Sequence, residues 1–108
     1  MNVLFVCTAG LQRSPTAAEV FSDISRKKKI AVNVKYAGIH ELAIQRVDSE
    51  LVKWADKIYA MEKVHKDFIV NIDKNAAKKV KVLNIPDMYF RGNPELVRLL
   101  RKKLEKEI

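Results

Sequence analysis

A single cysteine near the start of this 108-residue chain is followed six positions later by an arginine and then by a serine. Cys7 ends an apolar run, and Ser14-Pro15 has the composition of a helix start. The free N–H groups at a helix N-terminus, together with those of the loop before it, bind anions. The planar fork of Arg13 suits two phosphate oxygens. The spacing therefore predicts a phosphate-binding loop over residues 7–14.

Cys7 occupies the position that a nucleophile on this loop would need. The N–H groups of the loop and the charge of Arg13 create a positive electrostatic field, which favours the thiolate, the attacking form of cysteine. Ser14 can in addition donate a hydrogen bond to the sulfur. The same donors, with Arg13, would stabilise the equatorial oxygens during phosphoryl transfer. The alternative is that Cys7 is an inert buried cysteine, which is a common role for this residue. The other residues of the predicted phosphate-binding loop are Thr8, Ala9, Gly10, Leu11 and Gln12.

A second segment with chemical potential runs from Pro86 to Phe90. Phosphoryl transfer to sulfur needs an acid to protonate the leaving oxygen, and Asp87 can serve if its loop lies beside Cys7. Tyr89 and Phe90 could then form a wall on which an aromatic substrate packs. The alternative is a plain turn, because Pro-Asp is typical turn chemistry.

The elements that must position these residues alternate between strand and helix. We predict strands over 2–7, 31–37, 57–61 and 80–85, and helices from Ser14, over 48–55, over 62–72, briefly over 76–79, and from Asn93 onward. This alternation predicts an α/β fold in one domain, residues 1–108, with a parallel sheet covered on both faces. Ligands of such sheets bind beyond the carboxyl ends of the strands, where both chemical segments begin.

Apolar spacing predicts which helix faces are buried. The predicted inward residues are Ala17, Val20, Phe21 and Ile24 in the first helix, Met61, Val64, Phe68, Ile69 and Ile72 at and in the helix over 62–72, and Leu96, Val97, Leu100 and Leu104 in the last helix.

Composition limits the classes of protein to consider. A lone cysteine excludes an internal disulfide framework and fits a reducing compartment. We see neither a signal peptide nor an apolar span long enough for a membrane, and we expect a cytoplasmic protein. The net charge of +8 is concentrated in residues 74–108, which carry +6. Such a field attracts anions, although charge runs more often solvate the outer face of a helix.

The motifs resemble those of the low-molecular-weight protein tyrosine phosphatases. The resemblance rests on Val6-Cys7, Arg13-Ser14-Pro15, Asp87-Met88-Tyr89, Tyr36-Ala37-Gly38 and Trp54-Ala55-Asp56. It implies a three-layer fold with a four-stranded parallel sheet in the order 2-1-3-4, no metal or cofactor, and a cysteinyl-phosphate intermediate. It also implies that Cys7 is the nucleophile, that Arg13 binds phosphate and the transition state, that Ser14 steadies the thiolate, and that Asp87 is first general acid and then general base. We further expect substrate contacts from Leu11, Tyr89 and Phe90.

The chain departs from the pattern of that family at three positions. Gly10 stands where the family usually has Asn, so the left-handed backbone is kept without strain but the amide hydrogen bonds are lost. Gln12 replaces the usual second cysteine. Met88 replaces the usual proline after the aspartate, and Pro86 precedes it instead. The chain is also shorter than is usual in the family.

Several other functions are compatible with parts of the sequence. An arsenate reductase of this fold needs further cysteines for its thiol relay, and the chain has none. A phosphocysteine carrier would use the loop but would need neither Arg13 nor Asp87. A non-hydrolytic phosphate- or nucleic-acid-binding module stays open, although no RNA-binding signature is present. His40 and His65 lack metal-ligand spacing, so no metal site is predicted. The expected partner is a phosphorylated protein or small phosphate ester, and oligomeric state is left open.

Overall fold

The computed structural model describes residues 1–108, arranged as four strands and four α-helices. In chain order they are β1 (Asn2–Cys7), α1 (Arg13–Lys27), β2 (Asn33–Gly38), α2 (Ser49–Trp54), β3 (Lys57–Ala60), α3 (Lys63–Ile72), β4 (Val80–Val82) and α4 (Pro94–Leu104). Short 3₁₀ segments cover Lys74–Lys79 and Glu105–Glu107. No helix is both long and apolar enough to cross a bilayer.

The strands form one parallel sheet in the order β2-β1-β3-β4, which confirms the predicted fold class. Two separate apolar clusters cover its two faces. Strand β1 lies at the centre and contributes alternately to both: Val3 and Phe5 pack in one cluster, and Leu4 and Val6 pack in the other. This alternation follows from the period of two in a strand. It places the Cys7 side chain on the face covered by α1 and α4.

The predicted core faces of α1 and α4 are confirmed. Ala17, Val20, Phe21 and Ile24 are all buried in α1, and Leu96, Leu100 and Leu104 are buried in α4, with Val97 partly buried. The side chain of Asn93 accepts hydrogen bonds from the N–H groups of the first turn of α4, and Pro94 follows at the first helical position. The cap and the proline together determine the residue at which α4 begins.

The predicted inward face of α3 is wrong at two of its five positions, whereas Met61 and Ile69 are buried as predicted. Val64 and Ile72 are exposed, and the fully buried residues of α3 are His65 and Ile69. The buried face of α3 is therefore centred on His65 and Ile69, with Phe68 partly buried at its side. The reason is that both ring nitrogens of His65 are hydrogen-bonded in the interior, which removes most of the cost of burying an imidazole.

Strand β4 ends at Val82, earlier than the predicted end at residue 85. The chain continues beside β3, because Leu83 N–H donates to the carbonyl of Ala60 and Ile85 N–H donates to that of Met61. Between them Asn84 adopts a left-handed backbone with φ of 57°, which breaks the regular ladder. The kink directs the following residues, 86–90, over the carboxyl edge of the sheet.

Candidate active site

The predicted phosphate-binding loop connects β1 to α1 at the carboxyl edge of the sheet. Gly10 has φ of 71°, the left-handed conformation that was expected of it. A Cβ built on Gly10 would lie 2.8 Å from the backbone N of Gly38, and one on Gly38 would lie 2.5 Å from the carbonyl carbon of Ala9. The two glycines thus allow backbone to pack directly on backbone. Gly38 supports the loop from β2, beyond its predicted role of ending that strand.

Cys7 lies at the bottom of this loop and is almost fully buried, with 3% of its surface exposed. Its Sγ is 3.1 Å from Ser14 Oγ and accepts a hydrogen bond from Gly10 N–H at 3.2 Å. Ser14 Oγ is also 3.5 Å from the carbonyl of Ala37, a long contact. A serine hydroxyl carries one proton. Ser14 can therefore donate that proton to a Cys7 thiolate and give up only the weaker bond.

The backbone amides of the loop are available to an anion. The N–H groups of Thr8, Ala9, Leu11 and Gln12 donate no hydrogen bond within the protein. Partly buried amides without a partner are costly. A phosphate held by the loop would satisfy them beside the positive end of α1.

Arg13 is buried, with 1% exposure, and hydrogen bonds from Nη1 fix the orientation of its guanidinium. Its Nη1 donates to Glu62 Oε1 and, at 2.7 Å, to the carbonyl of Ile85. Its Nη2 lies 3.3 Å from Thr8 Oγ1, and its Nε is 3.8 Å from Asp87 Oδ1. Since Glu62 and Ile85 occupy Nη1, the Nε and Nη2 side of the fork is the side that can bind two phosphate oxygens.

A chain of hydrogen bonds braces the loop from α3. Glu62 N–H donates to His65 Nδ1 at 2.9 Å, so His65 carries its proton on Nε2 when neutral. That nitrogen is 2.9 Å from Thr8 Oγ1, to which it donates. The Thr8 hydroxyl therefore joins the buried His65 to the loop and to Arg13.

His65 is held in its neutral form by its surroundings. Burial, assisted by the Arg13 guanidinium, lowers the pKa of His65 from 6.5 to about 4, against the smaller opposing effect of the Glu62 and Asp87 carboxylates. A neutral ring is required for the arrangement described above, because Nδ1 must accept a hydrogen bond from Glu62 N–H.

Asp87 lies on the loop that follows β4 and is largely exposed, with its carboxylate turned towards Arg13. The far end of the loop that carries Asp87 is held by one side chain of the phosphate-binding loop and one side chain of α1. Gln12 Oε1 accepts from Arg91 N–H at 2.6 Å, and Thr16 Oγ1 accepts from Gly92 N–H at 3.0 Å. Gln12, which stands where a second cysteine is usual, thus ties the Asp87 loop to the phosphate-binding loop.

The three predicted substrate-binding residues have different surroundings. Leu11 is half-exposed at the rim and helps to line a cavity of about 480 Å³ beside the loop. Tyr89 packs partly against the core cluster on the α1 face, and Phe90 projects into solvent with 78% exposure. Neither aromatic side chain lines that cavity, and their contact with substrate stays a prediction.

Comparison with known proteins agrees with this geometry. A family model described as low molecular weight phosphotyrosine protein phosphatase matches residues 2–52. The protein-arginine-phosphatase of Bacillus subtilis (strain 168) is 30% identical over 93 residues, covering 66% of this chain and 62% of the relative. The chain therefore spans less than two thirds of that relative's length.

Solved structures extend the similarity over nearly the whole chain. The YwlE arginine phosphatase from Geobacillus stearothermophilus is 29% identical with a TM-score of 0.68, covering 97% of this chain and 86% of that one. A serine variant of YwlE with a phosphorylated active-site serine is 25% identical with a TM-score of 0.77, covering 99% and 95%. A low molecular weight phosphotyrosine phosphatase from Vibrio cholerae O395, at 23% identity, shares the fold with a TM-score of 0.81, covering 96% and 92%.

The chain is similar in sequence to the low molecular weight phosphatase family over residues 2–52, and in fold to solved members over nearly its whole length. Members of this family are cysteine-dependent phosphatases, and homologues act on phosphorylated substrates. The sheet order that the resemblance implied is that of the family structures.

Sequence reasoning missed Glu62 and His65 as parts of the site. Both follow β3, at the same edge as Cys7 and Asp87. The argument that singled out Asp87, an acidic residue shortly after a predicted strand at the edge of Cys7, applies equally to Glu62. His65 was considered only as a metal ligand, and nothing in its local sequence indicates that both its nitrogens are bonded.

Proposed function

We propose that this chain hydrolyses phosphate monoesters through a cysteinyl-phosphate intermediate on Cys7. The observation that carries the proposal is the combination, at one point, of a buried sulfur, unpaired loop amides and the Nε and Nη2 side of Arg13, which faces only Thr8 and Asp87. The Cys7 thiolate attacks phosphorus, and the bond from phosphorus to the ester oxygen breaks. Protonated Asp87 gives its proton to the departing oxygen. Water then attacks the phosphocysteine, with the Asp87 carboxylate taking up a proton, which releases inorganic phosphate and restores the thiolate.

Arg13 would supply the charge that the transition state needs. The guanidinium is already ordered by Glu62 and by the Ile85 carbonyl, so little conformational entropy remains to be lost when the phosphate binds. Such preorganised donors stabilise the developing charge more effectively than mobile ones do.

Phosphotyrosine in a protein is the substrate that the rim favours. Leu11 and Ile44 present apolar surface beside the loop, which suits a phenyl ring. Lys35 and Arg91 line the same cavity and would repel the cationic guanidinium of phosphoarginine. Phosphoarginine is nevertheless the second candidate, because arginine phosphatases are among the relatives that this chain resembles.

Hydrolysis of para-nitrophenyl phosphate, with a chelator present, tests the chemistry. We expect Cys7→Ser to abolish turnover and Arg13→Lys, which keeps the charge and loses the fork, to lower kcat by at least about 100-fold. Asp87→Asn should lower kcat by about 100-fold or more on substrates with poor leaving groups, since general acids contribute that much. Arg26→Lys and Asp67→Asn are matched controls on exposed helix positions and should behave like wild type.

Rapid quenching and intact mass measurement provide an independent readout. Wild type should show one added phosphoryl group that appears and disappears during turnover, whereas any phosphoryl group on Cys7→Ser should persist, as on the phosphorylated serine of the YwlE variant. A phosphorylated wild type that does not release phosphate would instead identify a phosphocysteine carrier. Phosphate binding without any turnover would identify a non-hydrolytic module, and either result would refute the proposal. Two peptides of one sequence, carrying phosphotyrosine or phosphoarginine, then decide the substrate class.

A further inference from the structure

Strand β2 forms one edge of the sheet, and its outer side is open along part of its length. Asn33 N–H donates to the carbonyl of Met1, and Ile39 N–H donates to that of Cys7, so odd-numbered residues face β1. Gly38 N–H donates outward to Gln45, at the other side of the strand. By the same alternation, the N–H and C=O groups of Val34 and Tyr36 face outward. No strand pairs with them.

A groove lies along this open edge and ends at the phosphate-binding loop. The cavity of about 480 Å³ has residues 34–36 on one wall, with Ile44 and Gln45 beyond the edge. Gly10 and Leu11 close it at the catalytic end. The groove therefore combines unpaired backbone groups with direct access to the proposed site.

The edge already accepts added backbone in this geometry. Just beyond the groove, the segment around Arg46 pairs in parallel with Gly38, through Gly38 N–H to Gln45 O and Val47 N–H to Gly38 O, each at 2.9 Å. An extended segment next to residues 34–36 would continue the same line. Open edges of this kind are the usual sites of strand addition by peptides.

The side chains around the groove indicate the character of the peptide. Ile44 is 91% exposed and Leu11 48% exposed, which provides apolar contacts. The two charged residues in the lining, Lys35 and Arg91, are both cationic. Arg91 has a carboxylate partner in Glu19, at 2.6 Å, but exposed pairs of this kind are weak and can exchange partners. An acidic side chain on the peptide would complement this charge.

We propose that the groove binds the residues next to the phosphorylated position of a protein substrate as a fifth strand on β2, with a preference for acidic residues. This rests on the proposed function. Tyr36 is level with Phe5, two residues before Cys7, and an added strand lies about 10 Å from β1, so the path to the sulfur is about 12 Å. A phosphorylated side chain and one or two residues of extended backbone span that distance.

The decisive experiment compares Val34→Pro with Val34→Ala. Proline removes the outward N–H of residue 34 without touching the bonds to β1, and proline is tolerated on an edge strand. On an acidic phosphotyrosine peptide we expect Val34→Pro to raise KM about three- to tenfold relative to Val34→Ala, which corresponds to one lost hydrogen bond. Their kcat/KM values on para-nitrophenyl phosphate should be equal. Equal KM values on the peptide would overturn the proposal.

A second measurement leaves the protein unchanged. Phosphotyrosine peptides N-methylated at single flanking residues should show a raised KM at alternate positions only, because alternate amides of a strand face its partner. Lys35→Glu should lower kcat/KM for the acidic peptide about threefold or more, whereas Lys102→Glu, on α4, should not. No position-dependent effect of methylation would refute strand addition.

These outcomes separate the two proposals. If wild type fails to hydrolyse para-nitrophenyl phosphate, the proposed function fails. If it hydrolyses that ester normally but the peptides behave alike with and without methylation, only the groove proposal fails. A dimer at assay concentration that Val34→Pro dissociates would show that a second copy covers this edge, and that result would also refute peptide binding.

Discussion

Acidification should destabilise this protein through His65 more than through any exposed group. The ring is fully buried, and its Nδ1 and Nε2 are bonded to Glu62 N–H and Thr8 Oγ1. Its pKa is about 4 in the folded protein, against 6.5 for an unperturbed histidine. The unfolded chain therefore binds more protons than the folded chain between these values. The contribution of His65 to the free energy of unfolding is present above pH 6.5 and is lost as the pH falls towards 4.

The size of the effect follows from the two pKa values. Going from pH 7 to pH 5, the linkage relation with a folded pKa of about 4 and an unfolded value of 6.5 gives a loss of about 2 kcal/mol. Carboxylates that are paired in the folded protein, such as Asp23, have a lowered pKa. Their contribution to the free energy of unfolding is therefore lost over a lower pH range. Their contribution is common to wild type and variant.

His65→Asn isolates the effect. The asparagine carbonyl can still accept the hydrogen bond from Glu62 N–H at the start of α3, and it does not titrate. Urea unfolding at pH 7 and pH 5 gives the free energy of unfolding of each protein. We expect His65→Asn to be less stable at pH 7 but to lose about 2 kcal/mol less than wild type on acidification.

Equal losses in wild type and His65→Asn would refute the reasoning, because they would mean that the imidazole is accessible to protons in the folded state. A larger loss in the variant would refute it as well. His40→Asn, at the exposed histidine after β2, is the matched control and should retain the full wild-type loss.

Two further predictions concern backbone geometry. Gly38→Ala should lower kcat/KM on para-nitrophenyl phosphate at least about tenfold, because the new Cβ would lie 2.5 Å from the Ala9 carbonyl carbon and must displace the loop. Gly92→Ala, where a Cβ meets nothing and only the positive φ is strained, should cost about 1 kcal/mol of stability without that loss of activity. Asn93→Ala should lower the free energy of unfolding by about 1 kcal/mol in urea titrations, since the first turn of α4 loses its cap. Equal activities of the two glycine variants, or an unchanged urea midpoint for the asparagine variant, would contradict these arguments.

The sequence by itself determined the local features of this protein. The apolar run of β1, the proline and serine at the start of α1 and the cap at Asn93 each act within a few residues, so their patterns predict backbone conformation directly. The left-handed backbone of Gly10, by contrast, was expected from the family resemblance and not from a local pattern. Strand and helix alternation was sufficient to predict a parallel sheet with both loops at one edge.

Only the tertiary structure decided how the site is held. Glu62 and the Ile85 carbonyl meet Arg13 from 49 and 72 residues away, and no local pattern encodes such pairings. His65 lies at the centre of the buried face of α3 because two hydrogen bonds compensate for burying the ring. The tight contact of Gly38 with the loop, and the open groove along β2, depend on strand order and register. These are set by how all the elements pack together, because each contact gains its energy only after distant segments have met.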